Sequence, residues 1–387
     1  MNRHILTGMQ ILGQQTWLKD QAIVIEDGKI KAIIPKDMTN HHLPAQKSDF
    51  HAEDYLIPGL IDLHIHGANH HDVMDANVDG LKIISRSLAT EGVTGFLATT
   101  MTASVDKIEA ALATIPLAMR DEEGAAILGV HLEGPFITKE KMGAQAGEFI
   151  QNPNLDLIDH WQKRAQGMLK IITLAPELSG AIDFIRGLQV RNIIAALGHT
   201  NATFAEANIA IQNDCHYATH LFNAMRSIHQ REPGVVAAVL LAEQVFAELI
   251  VDGVHLHPAM IELALLCKGK NKLLLVSDAM RAKCLRDGQY ELGGQQVSVS
   301  NNRAELADGR LAGSILRLPQ AIKNLIAYTS CSLIDAIRMA SLIPARVLNL
   351  ERYKGSIDLG KDADLVVLDH ELTVKMTMRA GKIIYHS

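Results

Sequence analysis

The chain has 387 residues, 48% hydrophobic but only 4% aromatic, so it can bury a sizeable core built mainly on Ala, Leu, Ile and Val. Its net charge of −6, with no basic block, argues against nucleic acid as the main partner. The cysteines (Cys215, Cys267, Cys284, Cys331) form no Cys-x-x-Cys pair and read as free thiols in a reducing compartment. The stretch Met1–Gly8 has no signal-peptide character. Val235–Val251, broken by Glu243, Gln244 and Glu248, is too polar and too short for a membrane span. A cytoplasmic protein is expected.

The first fifty residues read as short strands and turns. Ala22–Glu26, Asp27-Gly28 and Lys29–Ile34 make a hairpin, because Asp-Gly favours the tight turn between two strands. The C-terminal end looks alike: a strand over Asp364–Asp369, then a hairpin with Val374–Arg379 and Lys382–Tyr385 around Ala380-Gly381. Two β-rich ends predict one small β domain, residues 1–54 with 352–387. Between them, over 55–351, apolar runs alternate with helical patterns. The runs are Leu56–His66, Val93–Thr100, Ile127–Glu133, Lys170–Ala175, Ile193–His199, Cys215–His220, Val245–Asp252 and Lys272–Asp278. Helical stretches include Val78–Glu91, Ile182–Val190, Thr203–Asn213 and Pro258–Lys268, and a helix-rich tail closes the unit. Alternation implies parallel pairing, and eight units are what a (β/α)8 TIM-like barrel needs. An open doubly wound sheet is the alternative, but its Gly-x-Gly-x-x-Gly turn is absent. The polar, glycine-rich segment 288–312 breaks the rhythm and reads as a β insertion over the barrel mouth.

Chemistry in such a barrel sits at the C-terminal strand ends. His64-Ile65-His66 ends the first run with two imidazoles on one face. The third run ends in Glu133, the fifth in His199, the sixth in His220 and the eighth in Asp278. Taken singly, His199 reads as a hydrogen-bonded core residue, Glu133 as the partner of an arginine and Asp278 as a helix cap. Their coincidence at one mouth points to a divalent metal such as Zn, Fe, Mn or Co. His131 shares a face with Glu133 and reads as structural. His70, His71, Asp72 and Asp75 follow the first strand and read as a solvated loop; His257 reads as exposed.

These strings resemble the amidohydrolase superfamily and, within it, the N-acetylglucosamine-6-phosphate deacetylase family. The resemblance rests on Pro58–Gly67, His131–Phe136, Gly198–Ala202, Thr219–Met225, Arg231–Gly234 and Leu311–Ser314, and runs nearly end to end. It implies Glu133, His199 and His220 as ligands of a principal metal. His64 and His66 would hold a second metal, with Glu133 bridging and Asp278 near the second metal or the water between. The general base would be Asp278. It further implies substrate contacts from Ala144, Gln145, Asn223, Ala224, Arg231, His255, Leu311, Ala312 and Gly313. Arg231 would clamp the phosphate, and the resemblance allows it to do so in the neighbouring site of a homodimer; without the resemblance it reads as a surface partner of Glu232. Some relatives carry a histidine where this chain has Gln145, which can donate a hydrogen bond but cannot carry a proton charge. The implied reaction releases acetate and glucosamine 6-phosphate from N-acetylglucosamine 6-phosphate. The galactosamine epimer, another metal amidohydrolase such as a D-aminoacylase, and a barrel-like binding protein without catalysis are the rival readings.

Overall fold

The eight apolar runs become eight parallel strands. The computed structural model describes residues 3–42, 44–121 and 123–387. Its barrel strands are β1 (Leu60–Ile65), β2 (Val93–Thr100), β3 (Ala126–Glu133), β4 (Leu169–Leu174), β5 (Ile194–Leu197), β6 (Tyr217–Ala218), β7 (Phe246–Leu249) and β8 (Leu273–Leu275). They are hydrogen-bonded in chain order, each neighbour parallel. Closure comes just after β8, where Asp278 N donates to His64 O at 2.8 Å and Ala279 bridges Ile65. A helix separates each strand from the next, so the sheet is a TIM-like barrel and not an open doubly wound sheet. Every residue of β1 and β2 is buried, as strands covered by helices outside and packed side chains inside require. The helices start on local signals: Asn77, Asn154 and Thr203 accept backbone N–H bonds at their N-termini, and Pro258 opens the helix Pro258–Lys268.

The expected first strand, Leu56–His66, is in fact two. Tyr55–Pro58 pairs antiparallel with Leu365–Leu368 and parallel with Gln10–Leu12, whereas Leu60–Ile65 enters the barrel. The break is Gly59, where an added Cβ would lie 2.1 Å from Thr94 Oγ1. Only glycine lets the chain pass that close from one sheet into the other. Periodicity could not show the break, because both segments are buried and apolar.

Both termini build a β-sandwich. One sheet runs Lys29–Pro35, Gln21–Glu26, Arg3–Thr7, Gln46–Asp49; the other runs Lys382–His386, Val374–Arg379, Leu365–Leu368, Tyr55–Pro58, Gln10–Leu12, Trp17–Leu18. The N-terminal hairpin turns through Asp27 (φ 49°) and Gly28 (φ 79°), the left-handed pair that a two-residue turn needs. Leu365 and Val367 face the sandwich core while Val366 and Leu368 face the barrel core. Period-2 alternation thus makes this strand the mortar between the two units. Among the described residues, no helix is long and apolar enough to cross a membrane.

The segment after β8 forms a three-stranded antiparallel sheet, Gly288–Leu292, Gln295–Ser300 and Arg303–Leu306. Its apolar side packs with Met101, Ala144, Met280 and Ala312, residues of the loops at the barrel mouth.

Candidate active site

The six residues singled out at the strand ends meet. Glu133 Oε1 lies 3.0 Å from His199 Nε2, 3.1 Å from His220 Nε2 and 3.5 Å from His64 Nε2, and its Oε2 lies 3.3 Å from His66 Nε2. Asp278 Oδ1 is 3.4 Å from His64 Nε2 and 3.2 Å from His66 Nε2. All six side chains are buried. The backbone turns sharply to aim three of them: His199 (φ 48°), His220 (φ 30°) and Asp278 (φ 47°) adopt left-handed conformations at or just beyond strand ends. Each such residue costs roughly 1–3 kcal/mol and persists only where its surroundings hold it, which is a habit of functional sites.

The hydrogen bonds on the far side of each ring fix the tautomers. Nδ1 of His66, His199 and His220 donates to the backbone carbonyls of Thr99 (3.3 Å), Lys141 (2.8 Å) and Asn223 (3.1 Å). Nδ1 of His64 meets the Glu248 carboxylate at 2.9 Å. With every Nδ1 committed, neutral rings present Nε2 lone pairs to the centre. His199 Nε2 and His220 Nε2 then face each other across 3.1 Å, and His64 Nε2 is buried without a hydrogen-bond partner. Lone pairs converging on carboxylates in a buried site call for a cation. The donor set of imidazole and carboxylate suits a divalent transition metal, and Glu133 belongs to both of the candidate groups that face the mouth, one with His64 and His66, the other with His199 and His220.

A family model described as the amidohydrolase family matches residues 55–384. The chain belongs to the amidohydrolase family. The N-acetylglucosamine-6-phosphate deacetylase of Bacillus subtilis (strain 168) is 40% identical over 390 residues, covering 99% of this chain and 97% of that protein. The N-acetylgalactosamine-6-phosphate deacetylase of Escherichia coli O157:H7 is 37% identical over 381 residues, covering 98% and 99%. Among solved structures, the N-acetylglucosamine-6-phosphate deacetylase of Pasteurella multocida superposes with a TM-score of 0.93 at 28% identity over 100% of both chains. A mutant of the Mycobacterium smegmatis deacetylase, in complex with N-acetyl-D-glucosamine-6-phosphate, gives 0.91 at 31% identity over 99% of this chain and 100% of that one.

The electrostatics of this amidohydrolase centre follow from packing carboxylates against imidazoles. Burial disfavours a charged His66, but Asp278 and Glu133 outweigh it and raise its pKa to about 10. His64 is raised well above the usual histidine value against its burial, by Glu248, Asp278 and Glu133. Against its own burial, Glu133 is held well below the carboxylate range by His64 and by bonds from His199 and His220. Asp278 is drawn down to about 2, against burial, by His64 and His66. The carboxylates that favour a proton on His64 and His66 would equally favour a cation, so metal and protons would compete for those nitrogens.

A cavity of about 320 Å³ opens from the amidohydrolase centre. Its lining includes Ala144, Gln145, Asn223, Ala224, His255, Leu311 and Gly313. Ala312 is fully buried beneath that lining, with its N–H on Ala304 O at 2.9 Å. Arg231 is exposed and outside the cavity. Its expected partner Glu232 instead accepts from Phe204 N at 2.8 Å and Gly234 N at 3.3 Å. The Gln145 amide donates to Glu133 Oε2 at 2.7 Å and accepts from Thr102 N at 2.7 Å, so it orients the central carboxylate. His255 is held by Asp252, Nδ1 to Oδ2 at 2.7 Å. His131 sits deeper, between Leu63 O and Thr173 Oγ1, and burial lowers its pKa to about 4. The loop after β1 is less solvated than expected: Asp72 is buried and caps Met74 N at 2.9 Å, and Asp75 pairs with Arg281 at 2.9 Å. Sequence reasoning missed three residues. Lys141 and Arg310 line the cavity with cationic side chains, and Glu248 stands behind His64.

Proposed function

We propose that the chain hydrolyses the N-acetyl group of N-acetylglucosamine 6-phosphate, giving acetate and glucosamine 6-phosphate in amino-sugar recycling. The observation that carries this reading is the convergence of four Nε2 atoms on Glu133 and Asp278 in a cavity of sugar-phosphate size. The full-length likeness to deacetylases of hexosamine phosphates supplies the substrate class. The catalytic unit in this reading is the barrel, 55–351, with the insertion at 288–312. Free thiols at all four cysteines suit a cytoplasmic setting.

Glu133, His199 and His220 would hold the principal metal. His64 and His66 would hold a second, with Glu133 shared and Asp278 beside it. When bound, the metal would supply an acidified water and a polarised acetamide carbonyl. Asp278 would take one proton from that water as its oxygen attacks the carbonyl carbon. It would return the proton to the sugar nitrogen as the C–N bond breaks, leaving the amine and acetic acid, which ionises to acetate by giving its proton to the amine or solvent. Gln145 keeps Glu133 in register. Asn223, Ala224 and His255 would meet the phosphate end, and Leu311 and Gly313 the sugar side. Arg231 would reach the phosphate from a second copy, since its own cavity does not contain it. The relative acting on the galactosamine isomer supports one second reading, the C4 epimer.

The test is acetate release from three substrates, with and without added divalent metal: N-acetylglucosamine 6-phosphate, its galactosamine epimer, and unphosphorylated N-acetylglucosamine. The reading expects metal-dependent release, fastest on the first and much slower without the phosphate. Indifference to the phosphate would point to a different amide substrate.

A further inference from the structure

Glu248 is the polar interruption of an otherwise apolar β7. Its side chain is wholly shielded from solvent, and among the described residues no lysine or arginine pairs with it. Three donors reach it: His64 Nδ1 at 2.9 Å and His220 N at 2.9 Å on Oε2, and the Tyr217 hydroxyl at 2.8 Å on Oε1. The other three site imidazoles are fixed by backbone carbonyls, which do the same job without a charge. A buried carboxylate is costly unless something compensates it. The charge itself therefore needs a reason.

We propose that Glu248 builds the second metal position. It turns His64 Nε2 toward Glu133 and Asp278, and it supplies the buried negative charge that a second dication offsets. With one dication and a deprotonated nucleophile, the carboxylates of Glu133, Asp278 and Glu248 leave this buried site in negative excess. A second dication removes it. Glu248 is a positioning residue in this account, acting through His64. The inference rests on the two-metal part of the proposed function.

The experiment is metal counting. Protein stripped with a chelator is titrated with Zn²⁺ alone, and bound metal is measured after desalting. Wild type is expected to hold two equivalents. Glu248→Gln, with an unchanged far-ultraviolet circular dichroism spectrum, should keep one and bind the second about tenfold or more weakly. Tyr217→Phe removes another donor to Glu248 while leaving its bond to His64, and should keep both. Glu248→Asp, too short to meet His64 and His220 together, should show the same selective loss where glutamine is not tolerated. Two equivalents in Glu248→Gln at wild-type affinity, equal loss in Tyr217→Phe, or one equivalent in wild type would each overturn the proposal. Acetate release is scored separately: a protein holding two metals but inert toward the sugar phosphate sinks the substrate reading and leaves this one standing.

Discussion

Asp278 differs from Glu133 in what it touches. Four imidazoles and the Gln145 amide crowd both oxygens of Glu133, whereas Asp278 meets two imidazoles, His64 and His66, through Oδ1. In the proposed reaction Asp278, the less crowded carboxylate, is therefore the one to carry a proton between water and leaving nitrogen. Asp278→Asn should lower kcat by about 10²–10⁴-fold while the principal metal stays bound; full metal with a near wild-type rate would remove Asp278 from this role. The coupled histidines also fix a pH dependence. His66 has an ordinary pKa of 6.5 and a folded, metal-free value of about 10. Its stabilising contribution is fully present below 6.5 and is lost as pH rises toward about 10. The Tm of chelator-stripped protein should thus fall over that window more steeply than the Tm of metal-loaded protein, and parallel curves would contradict the assignment. The ligand candidates were legible because each ends a strand, a position that sequence rhythm marks. Glu248 was not, because its meaning lies in a contact 184 residues away from His64, and locally it is only a charge in an apolar run.

At the scale of elements, the βα rhythm carried most of the barrel, since buried parallel strands and amphipathic helices leave strong local patterns. It failed at Gly59, where two buried strands abut and only the close approach of Thr94 marks the change of sheet. The insertion was legible as strand-like, but its attachments were not. Gln295 Nε2 donates to Ala144 O at 2.6 Å, and the Arg310 guanidinium donates to Gly143 O. These two bonds tie the insertion to the loop that carries Gln145 and the Lys141 carbonyl on which His199 rests. Losing one net hydrogen bond of about 1 kcal/mol should loosen the loop and raise KM about fivefold. Gln295→Ala is expected to do so with little change in kcat, measured by steady-state acetate release. A fall in kcat at constant KM would show instead that the insertion acts on the chemical step.

At the scale of the whole molecule, the position of Arg231 relative to the cavity points beyond a single chain. Within one chain, Arg231 is exposed and outside the lining, while His255 and Asn223 stand ready inside it. The proposed service of Arg231 to the phosphate of a second copy would reconcile these facts, because a two-fold dimer would give each site the other chain's residue. Complementation tests this directly. Asp278→Asn lacks the base but donates a sound Arg231; Arg231→Ala keeps its base but lacks the clamp. In a mixed dimer one site inherits both defects and the other inherits neither. Random reassociation of equal amounts should therefore restore about a quarter of wild-type activity on the phosphorylated substrate, since about half the dimers are mixed and each has one intact site. No recovery above the sum of the two variants, in a sample shown by mass to contain mixed dimers, would place Arg231 outside the neighbouring site. Lys141 and Arg310 would then be the cations left to meet the phosphate.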